Sequence, residues 1–275
     1  MREKIKLNNK DFYFNKGYGQ NFIFDENLLN EIANDACIST DDEILEIGAG
    51  AGSLTQVLCR RAKKVVSFEI DKNLFAHLTK LQNDNANLTM VFADFMSKPN
   101  EEIFSHFTGE MKVVANIPYY ITTPIIFKLL ESIDRIESIT IMVQKEVAER
   151  ISSLHSQDNS VLTYTINAVC DCKISRVVRR EMFTPPPKVD SAILVLTPHH
   201  NKYNIDDFDA FNELVKLAFT SRRKTLSNNL AGIDGLNKIE IENILTELFN
   251  NKLIRAQELN VEDYLKLLKR LINKA

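Results

Sequence analysis

The chain predicts an α/β fold: a mostly parallel seven-stranded sheet wrapped by helices, followed by a small all-helical domain. Three observations predict it. Short β-branched runs recur at near-even spacing, segments of helical length and pattern separate them, and beyond a polar stretch at 197–206 the pattern becomes wholly helical. Strands alternating with helices make βαβ units, and their crossovers lay the strands parallel.

Residues 1–18, rich in Lys and Asn, form an N-terminal extension. They lack the apolar stretch and small-residue cleavage site of a secretory signal, so a cytoplasmic protein is expected. The first five strands are Glu43 to Ile47, Val65 to Ile70, Leu88 to Phe92, Lys112 to Ala115 and Ser138 to Val143. Between them, Leu54 to Arg61, Leu74 to Gln82 and Pro124 to Glu131 carry helical periodicity. After Gln144 a helix should run to about Leu154 and another from Ser160 to about Cys170. The runs Lys173 to Val178 and Ala192 to Leu196 can then pair antiparallel at the sheet edge, completing a domain over 19–200. Thr197 to Asp206 loses periodicity and reads as a linker. Residues 201–275 hold four helical segments, Phe208 to Phe219, Leu226 to Ala231, Ile239 to Phe249 and Val261 to Leu271. A domain that small usually needs a larger neighbour.

Composition narrows the function. The 275 residues are 44% hydrophobic and 26% charged, with no apolar run long enough for a membrane span. The four cysteines are too scattered for a disulfide framework, and Cys170 with Cys172 lacks the second pair of a zinc site, so no metal is expected. A net charge of −3 argues against a uniformly basic polyanion binder. Positive charge nevertheless collects at Lys173, Arg176, Arg179, Arg180 and Lys188, and again at Arg222, Arg223 and Lys224. These are either phosphate contacts or solvated faces.

Glu46-Ile47-Gly48-Ala49-Gly50-Ala51-Gly52 closes the first strand and opens the first helix, where an open α/β sheet binds ligands. Gly48 and Gly50 let the backbone approach a ligand closely. The spacing is neither that of a dinucleotide turn nor that of a P-loop. Glu69, ending the second strand about 20 residues on, can accept both hydroxyls of a ribose. Asp94, ending the third, can accept from an adenine amine. Asp71 reads as a helix cap. An adenosine moiety is thereby recognised at two points.

Asn116-Ile117-Pro118-Tyr119 follows the fourth strand, at the carboxyl edge of the sheet. An adenine amine is a poor nucleophile because its lone pair is delocalised into the ring. The Asn116 side-chain oxygen and the Ile117 carbonyl can each accept one amine hydrogen, drawing the nitrogen toward tetrahedral geometry. Pro118 holds Ile117 extended, and Tyr119 offers a flat face for the base. This chemistry suits methyl transfer from S-adenosylmethionine to N6 of adenine. Phe183, ahead of Pro185-Pro186-Pro187-Lys188, is assigned as the second face of a base sandwich, with a core aromatic as the alternative.

Seven stretches in order resemble the ribosomal RNA adenine N6-dimethyltransferase family in its small-subunit, KsgA-type branch. They are residues 19–25 (GQNFIFD), 46–55 (EIGAGAGSLT), 69–71 (EID), 116–124 (NIPYYITTP), 144–150 (QKEVAER), 183–191 (FTPPPKVDS) and 218–226 (AFTSRRKTL). The resemblance implies a Rossmann-like class I methyltransferase fold with S-adenosylmethionine lined by Asn21, Ile23, Gly48, Glu69, Asp94 and Asn116. It implies that Tyr119 and Phe183 flank the target base and that Arg179, Arg180, Lys188, Arg222, Arg223 and Lys224 contact RNA. The implied substrate is a pair of adjacent adenosines in the hairpin loop near the 3′ end of 16S rRNA, dimethylated by a monomer on an immature small ribosomal subunit.

Three positions depart from the family pattern. Ala49 stands where proline is common and should loosen the turn, Ile23 replaces leucine, and 157–165 lacks a Tyr-Gly-x-Leu-Ser run. Three other readings share the motifs. A large-subunit rRNA methyltransferase of the macrolide-resistance type is disfavoured by the Phe183 and Arg222 stretches, and a non-catalytic assembly factor by the intact Asn116 and glycine turn. A DNA adenine methyltransferase is separable by its substrate.

Overall fold

A computed structural model describes residues 4–7, 10–153, 158–199, 202–203 and 205–272. The N-terminal extension contains a hairpin, β1 (Lys4–Leu7) and β2 (Lys10–Tyr13), in which Ile5 faces Phe12. Alternation turns Ile5, Leu7 and Phe12 onto the core and leaves Lys4, Asp11 and Tyr13 outward. Next come β3 (Phe22–Ile23) and α1 (Glu26–Asp35), the helix capped by Asp25, whose carboxylate accepts from the Leu28 N–H.

The α/β alternation then runs β4 (Glu43–Ile47), α2 (Ser53–Arg61), β5 (Lys64–Phe68), α3 (Phe75–Asp84), β6 (Leu88–Val91), α4 (Asn100–Phe104), β7 (Met111–Asn116), α5 (Thr122–Leu130) and β8 (Ile136–Gln144). After it come α6 (Lys145–Ser152), α7 (Val161–Val169), β9 (Cys170–Val178), β10 (Phe183–Thr184) and β11 (Ser191–Pro198). The last helices are α8 (Phe208–Ala218), α9 (Leu226–Leu230), α10 (Lys238–Phe249) and α11 (Val261–Ile272).

The seven-stranded sheet has the order β6-β5-β4-β7-β8-β11-β9. Its inner pairs are parallel, as the alternating runs predict, β11 runs antiparallel to β8, and β9 neighbours β11 at the sheet edge. All five residues of β4 and the first five of β7 are buried, which suits strands covered on both faces. From β4 the chain builds outward to β6, then crosses back to lay β7 on the other side of β4. That reversal opens a crevice at the carboxyl ends of β4 and β7, the place where such sheets bind ligands.

The chain forms two units, residues 1–148 with 173–198, and residues 149–172 with 199–275. The first packs Ile44, Val57, Leu58, Val65, Leu74 and Leu78 in its core. The second packs Tyr164, Phe211, Leu245, Tyr264 and Leu267. Its buried phenols are satisfied, Tyr164 donating to the Leu259 carbonyl (2.7 Å) and Tyr264 to that of Ala256 (2.8 Å). Residues 149–172, which the sequence division at 200 grouped with the sheet, sit with the helices because Tyr164 and Ala168 belong to that helical core. Within the polar 197–206 stretch, β11 continues to Pro198, and Tyr203 and Ile205 pack on the helical core. Residues 200, 201 and 204 of that stretch lie outside the described residues, as does the end expected near Leu154 for α6. Among the described residues no helix is long and apolar enough to cross a membrane.

Candidate active site

The glycine turn leaves β4 at Ile47. The Gly48 and Ala49 N–H groups both donate to the Phe68 carbonyl, at 2.8 and 3.1 Å, tying the turn to the end of β5. Ala49, which stands where proline is common, thus takes part in anchoring the turn. It supplies an N–H that proline lacks. Gly50 adopts a φ of +55°, and a Cβ there would stand 2.9 Å from Cε1 of Phe22, so only glycine fits without displacing that ring.

Glu69 lies just past β5 and is buried. Its Oε2 accepts from the Gly50 N–H (2.7 Å) and its Oε1 from that of Asp71 (2.8 Å). Both bonds fix the plane of the carboxylate and leave each oxygen a lone pair for a ligand. Burial pushes its pKa above the ordinary carboxylate value, against the backbone N–H groups of Asp71, Gly50 and Ile70, which lower it. Asp94 accepts from the Met96 N–H through Oδ1 at 2.9 Å, capping a 3-10 turn over Phe95–Ser97. Asp71 caps the turn Lys72–Leu74, the role read from its sequence context.

A cavity of about 370 Å³ opens at the carboxyl ends of the central strands. Every cofactor residue expected from the sequence lines it: Asn21, Ile23, Gly48, Gly50, Glu69, Asp94 and Asn116. Ile117, Pro118 and Tyr119 line it as well. Its chemistry fits an adenosine-bearing cofactor, with one buried carboxylate retaining acceptor capacity, a second acid at the next strand end, and a glycine turn between.

Asn116 ends β7, and its Nδ2 donates to the Asn21 carbonyl at 3.1 Å. A carbonyl only accepts, so the amide nitrogen is held on that side and Oδ1 remains an acceptor for another group. Ile117 is buried, and Pro118 holds the extended backbone (φ −59°, ψ 137°). Tyr119 is half-buried on a 3-10 turn, its hydroxyl 2.5 Å from Ser191 Oγ. Burial raises its pKa above the usual phenol value, which keeps the hydroxyl neutral.

Phe183 is placed otherwise. It is 3% exposed, belongs to the core of the first unit, and is not among the cavity-lining residues. It pairs with Ile23 and Thr184 with Phe22 in the two-stranded β10–β3 sheet, and that register turns its ring inward. Phe183 is thus a packed aromatic of the first unit's core in this structure. Through that pairing it backs Ile23, which lines the cavity.

Arg179, Arg180 and Lys188 are exposed on the first unit, and Arg222, Arg223 and Lys224 on the turn between α8 and α9 of the second. Arg180 is paired with Glu181 at 2.9 Å. Arg176 leaves the basic cluster altogether, gripping Asp35 with Nε (2.6 Å) and Nη2 (2.9 Å) and Glu31 with Nη1 (2.6 Å). In the divergent 157–165 stretch, residue 157 lies outside the described residues, and the Ser160 N–H bonds Thr163 Oγ1 at 3.2 Å to open α7.

Sequence reasoning assigned no role to Gln20, Glu46 or Tyr120. Gln20 accepts from the Asn15 N–H (2.8 Å) and donates to Asp71 Oδ2 (2.7 Å), linking the N-terminal segment to the Glu69 network. Glu46, 1% exposed in β4, accepts from Thr55 Oγ1 (2.7 Å) and Ser67 Oγ (2.5 Å). Burial pushes its pKa up to about 7. An acid flanked by apolar residues in a buried strand was the available signal. Tyr120, 65% exposed, stands at the cavity lining.

Comparison with known proteins bears on this geometry. A family model described as ribosomal RNA adenine dimethylase matches residues 11–273. The ribosomal RNA small subunit methyltransferase A of Clostridioides difficile is 39% identical over 258 residues, covering 92% of this chain and 89% of that protein. Its namesake from Bacillus mycoides is 37% identical over 279 residues, covering 98% and 96%. Among solved structures, a dimethyladenosine transferase from Plasmodium falciparum superposes with a TM-score of 0.77 at 28% identity, covering 92% of this chain and 98% of that one. The 23S rRNA methyltransferase ErmE superposes at 0.70, also at 28% identity, covering 92% and 100%.

Proposed function

This chain belongs to the ribosomal RNA adenine dimethylase family, an S-adenosylmethionine-dependent rRNA adenine dimethyltransferase, and we propose that its targets are two adjacent adenosines in the hairpin loop near the 3′ end of 16S rRNA, within an immature small ribosomal subunit. The observation that carries the reading is the Asn116 amide. Its nitrogen is occupied by the Asn21 carbonyl, leaving the oxygen as an acceptor in a cavity that the glycine turn and Glu69 also line.

S-adenosylmethionine supplies an electrophilic methyl group when bound. Glu69 would hold its ribose hydroxyls and Asp94 its adenine amine, while the glycine turn lets the backbone come close. The remaining work falls to this chain's own residues. Asn116 Oδ1 and the Ile117 carbonyl accept the two hydrogens of the target amine, which pulls its lone pair out of conjugation and aims it. Tyr119, its ring fixed by the bond to Ser191, supports the base by stacking worth about 1–3 kcal/mol. The nitrogen sheds its proton after the methyl group arrives, so no base of matched pKa is required. Arg179, Arg180 and Lys188, and separately Arg222, Arg223 and Lys224, contact phosphates. The cavity is lined by residues of one unit, and on this reading the enzyme acts as a monomer in the cytoplasm.

The test is to map methylated bases in rRNA from cells lacking the protein and to supply labelled cofactor with purified protein to their small subunits. Two adjacent N6-dimethyladenosines should vanish from 16S rRNA in those cells and reappear on incubation. Label entering large-subunit rRNA or duplex DNA instead would overturn the proposal.

A further inference from the structure

Tyr120 is the second aromatic of the Asn116 loop, and the chemistry above leaves it without work. It lines the cavity, yet 65% of it is exposed. A ring that open contributes little burial to the fold, so packing does not explain it. Nor is it loose. A Cβ at Gly19 would lie 3.4 Å from both Cδ1 and Cε1 of the ring and 3.3 Å from Pro118 Cβ, so one side of Tyr120 rests against the Gly19 backbone. Gly19 takes a left-handed φ of +57° to make that approach. Two residues later the Asn21 carbonyl holds the Asn116 amide. One short segment therefore braces both the amine acceptor and this ring.

The two tyrosines of the turn are held differently. Tyr119 is half-buried and tethered through its hydroxyl to Ser191, whereas Tyr120 is braced on one side and open on the other. We propose that Tyr120 is a positioning residue for the RNA, its open face stacking the nucleobase adjacent to the target adenine. The inference rests on the reading of the chain as an RNA adenine methyltransferase. Extruding an adenine from a loop strips its neighbour of a stacking partner, and a fixed aromatic at the cavity mouth restores one. Any base has a π-face, so such a platform tolerates sequence and needs only the ring.

The experiment compares wild type, Tyr120→Ala and Tyr120→Phe on small-subunit particles lacking the modification, with binding of S-adenosylhomocysteine measured by calorimetry. Loss of one stacked base should raise KM for the particle about 5- to 150-fold in Tyr120→Ala. The turnover number at saturating particle should hold near the wild-type value, the signature of uniform binding lost. Tyr120→Phe should restore KM, and nucleoside affinity should be the same in all three. An unchanged KM in Tyr120→Ala, with wild type active, would overturn the platform alone. A weakened S-adenosylhomocysteine affinity matching the KM loss would also overturn it, making the ring a cover for the cofactor. An inactive wild type would overturn the proposed function, and the platform with it.

Discussion

Replacing Gly50 with alanine tests how the glycine turn and the N-terminal segment interlock. The residue sits at φ +55°, where a side chain costs about 1–2 kcal/mol. The new Cβ would also stand 2.9 Å from Cε1 and 3.1 Å from Cδ1 of Phe22. That ring cannot retreat easily, because Phe12, Phe14 and Phe24 surround it at centroid distances of 5.8, 5.3 and 6.4 Å. Overpacking of this kind adds about 1–3 kcal/mol, for a total of about 2–5 kcal/mol. Phe22 lies between Asn21 and Ile23, both in the cavity wall, so its displacement should weaken S-adenosylhomocysteine binding at least about tenfold. Two controls separate the contributions. Gly232→Ala, at φ +97° with no atom within 4 Å, should show backbone strain alone, and Gly109→Ala, with open space and no positive φ, should be near neutral. Urea unfolding reads the stabilities and calorimetry the affinity. If Gly50→Ala costs no more than Gly232→Ala and binds nucleoside like wild type, the interlock is refuted.

Glu46→Gln should change how stability responds to pH. Burial raises the folded-state pKa to about 7, so the native state holds a proton that the unfolded chain releases from about 4.5 upward. Wild type should lose about 3 kcal/mol relative to the variant between those pH values, and parallel unfolding curves across that window would contradict this. Arg176→Ala should cost about 1 kcal/mol at neutral pH. Burial pushes the Asp35 carboxyl up, but Arg176 and its neighbours hold it below the ordinary value, so the cost should shrink as acid protonates Asp35. A pH-independent difference by urea titration would count against that ion pair. Arg222→Ala with Arg223→Ala should weaken RNA binding and make its salt dependence shallower by about 1–2 in log–log slope, and an unchanged slope would return the stretch to a solvated face.

Long-range order was legible because it is written in periodicity. The β4 to β8 alternation, the late edge strands and the four C-terminal helices all follow from apolar spacing, and strand ends then place the glycine turn, Glu69, Asp94 and Asn116 around one crevice. The β10–β3 pairing was not legible, since two residues per strand carry no period, and it decides that Phe183 packs inward. The same limit hid the grouping of α7 with the helical unit, which depends on partners about 50 to 100 residues away such as Phe211 and Tyr264. α1 did carry a signal, Asp25 ahead of apolar positions 28, 29, 32 and 33, a cap and a stripe that the sequence reading left unused. The arginines divide for a simpler reason: composition records charge, whereas only three dimensions reveal that Asp35 and Glu31 already occupy Arg176.

The most direct measurement is single-turnover methyl transfer by Asn116→Ala, paired with calorimetric binding of S-adenosylhomocysteine. Removing the acceptor that orients the amine should slow transfer by at least about 10²–10³-fold. Nucleoside affinity should remain within about threefold of wild type, since uniform binding is left largely in place. Transfer at a near-normal rate in a variant that binds nucleoside normally would contradict the role given to Asn116.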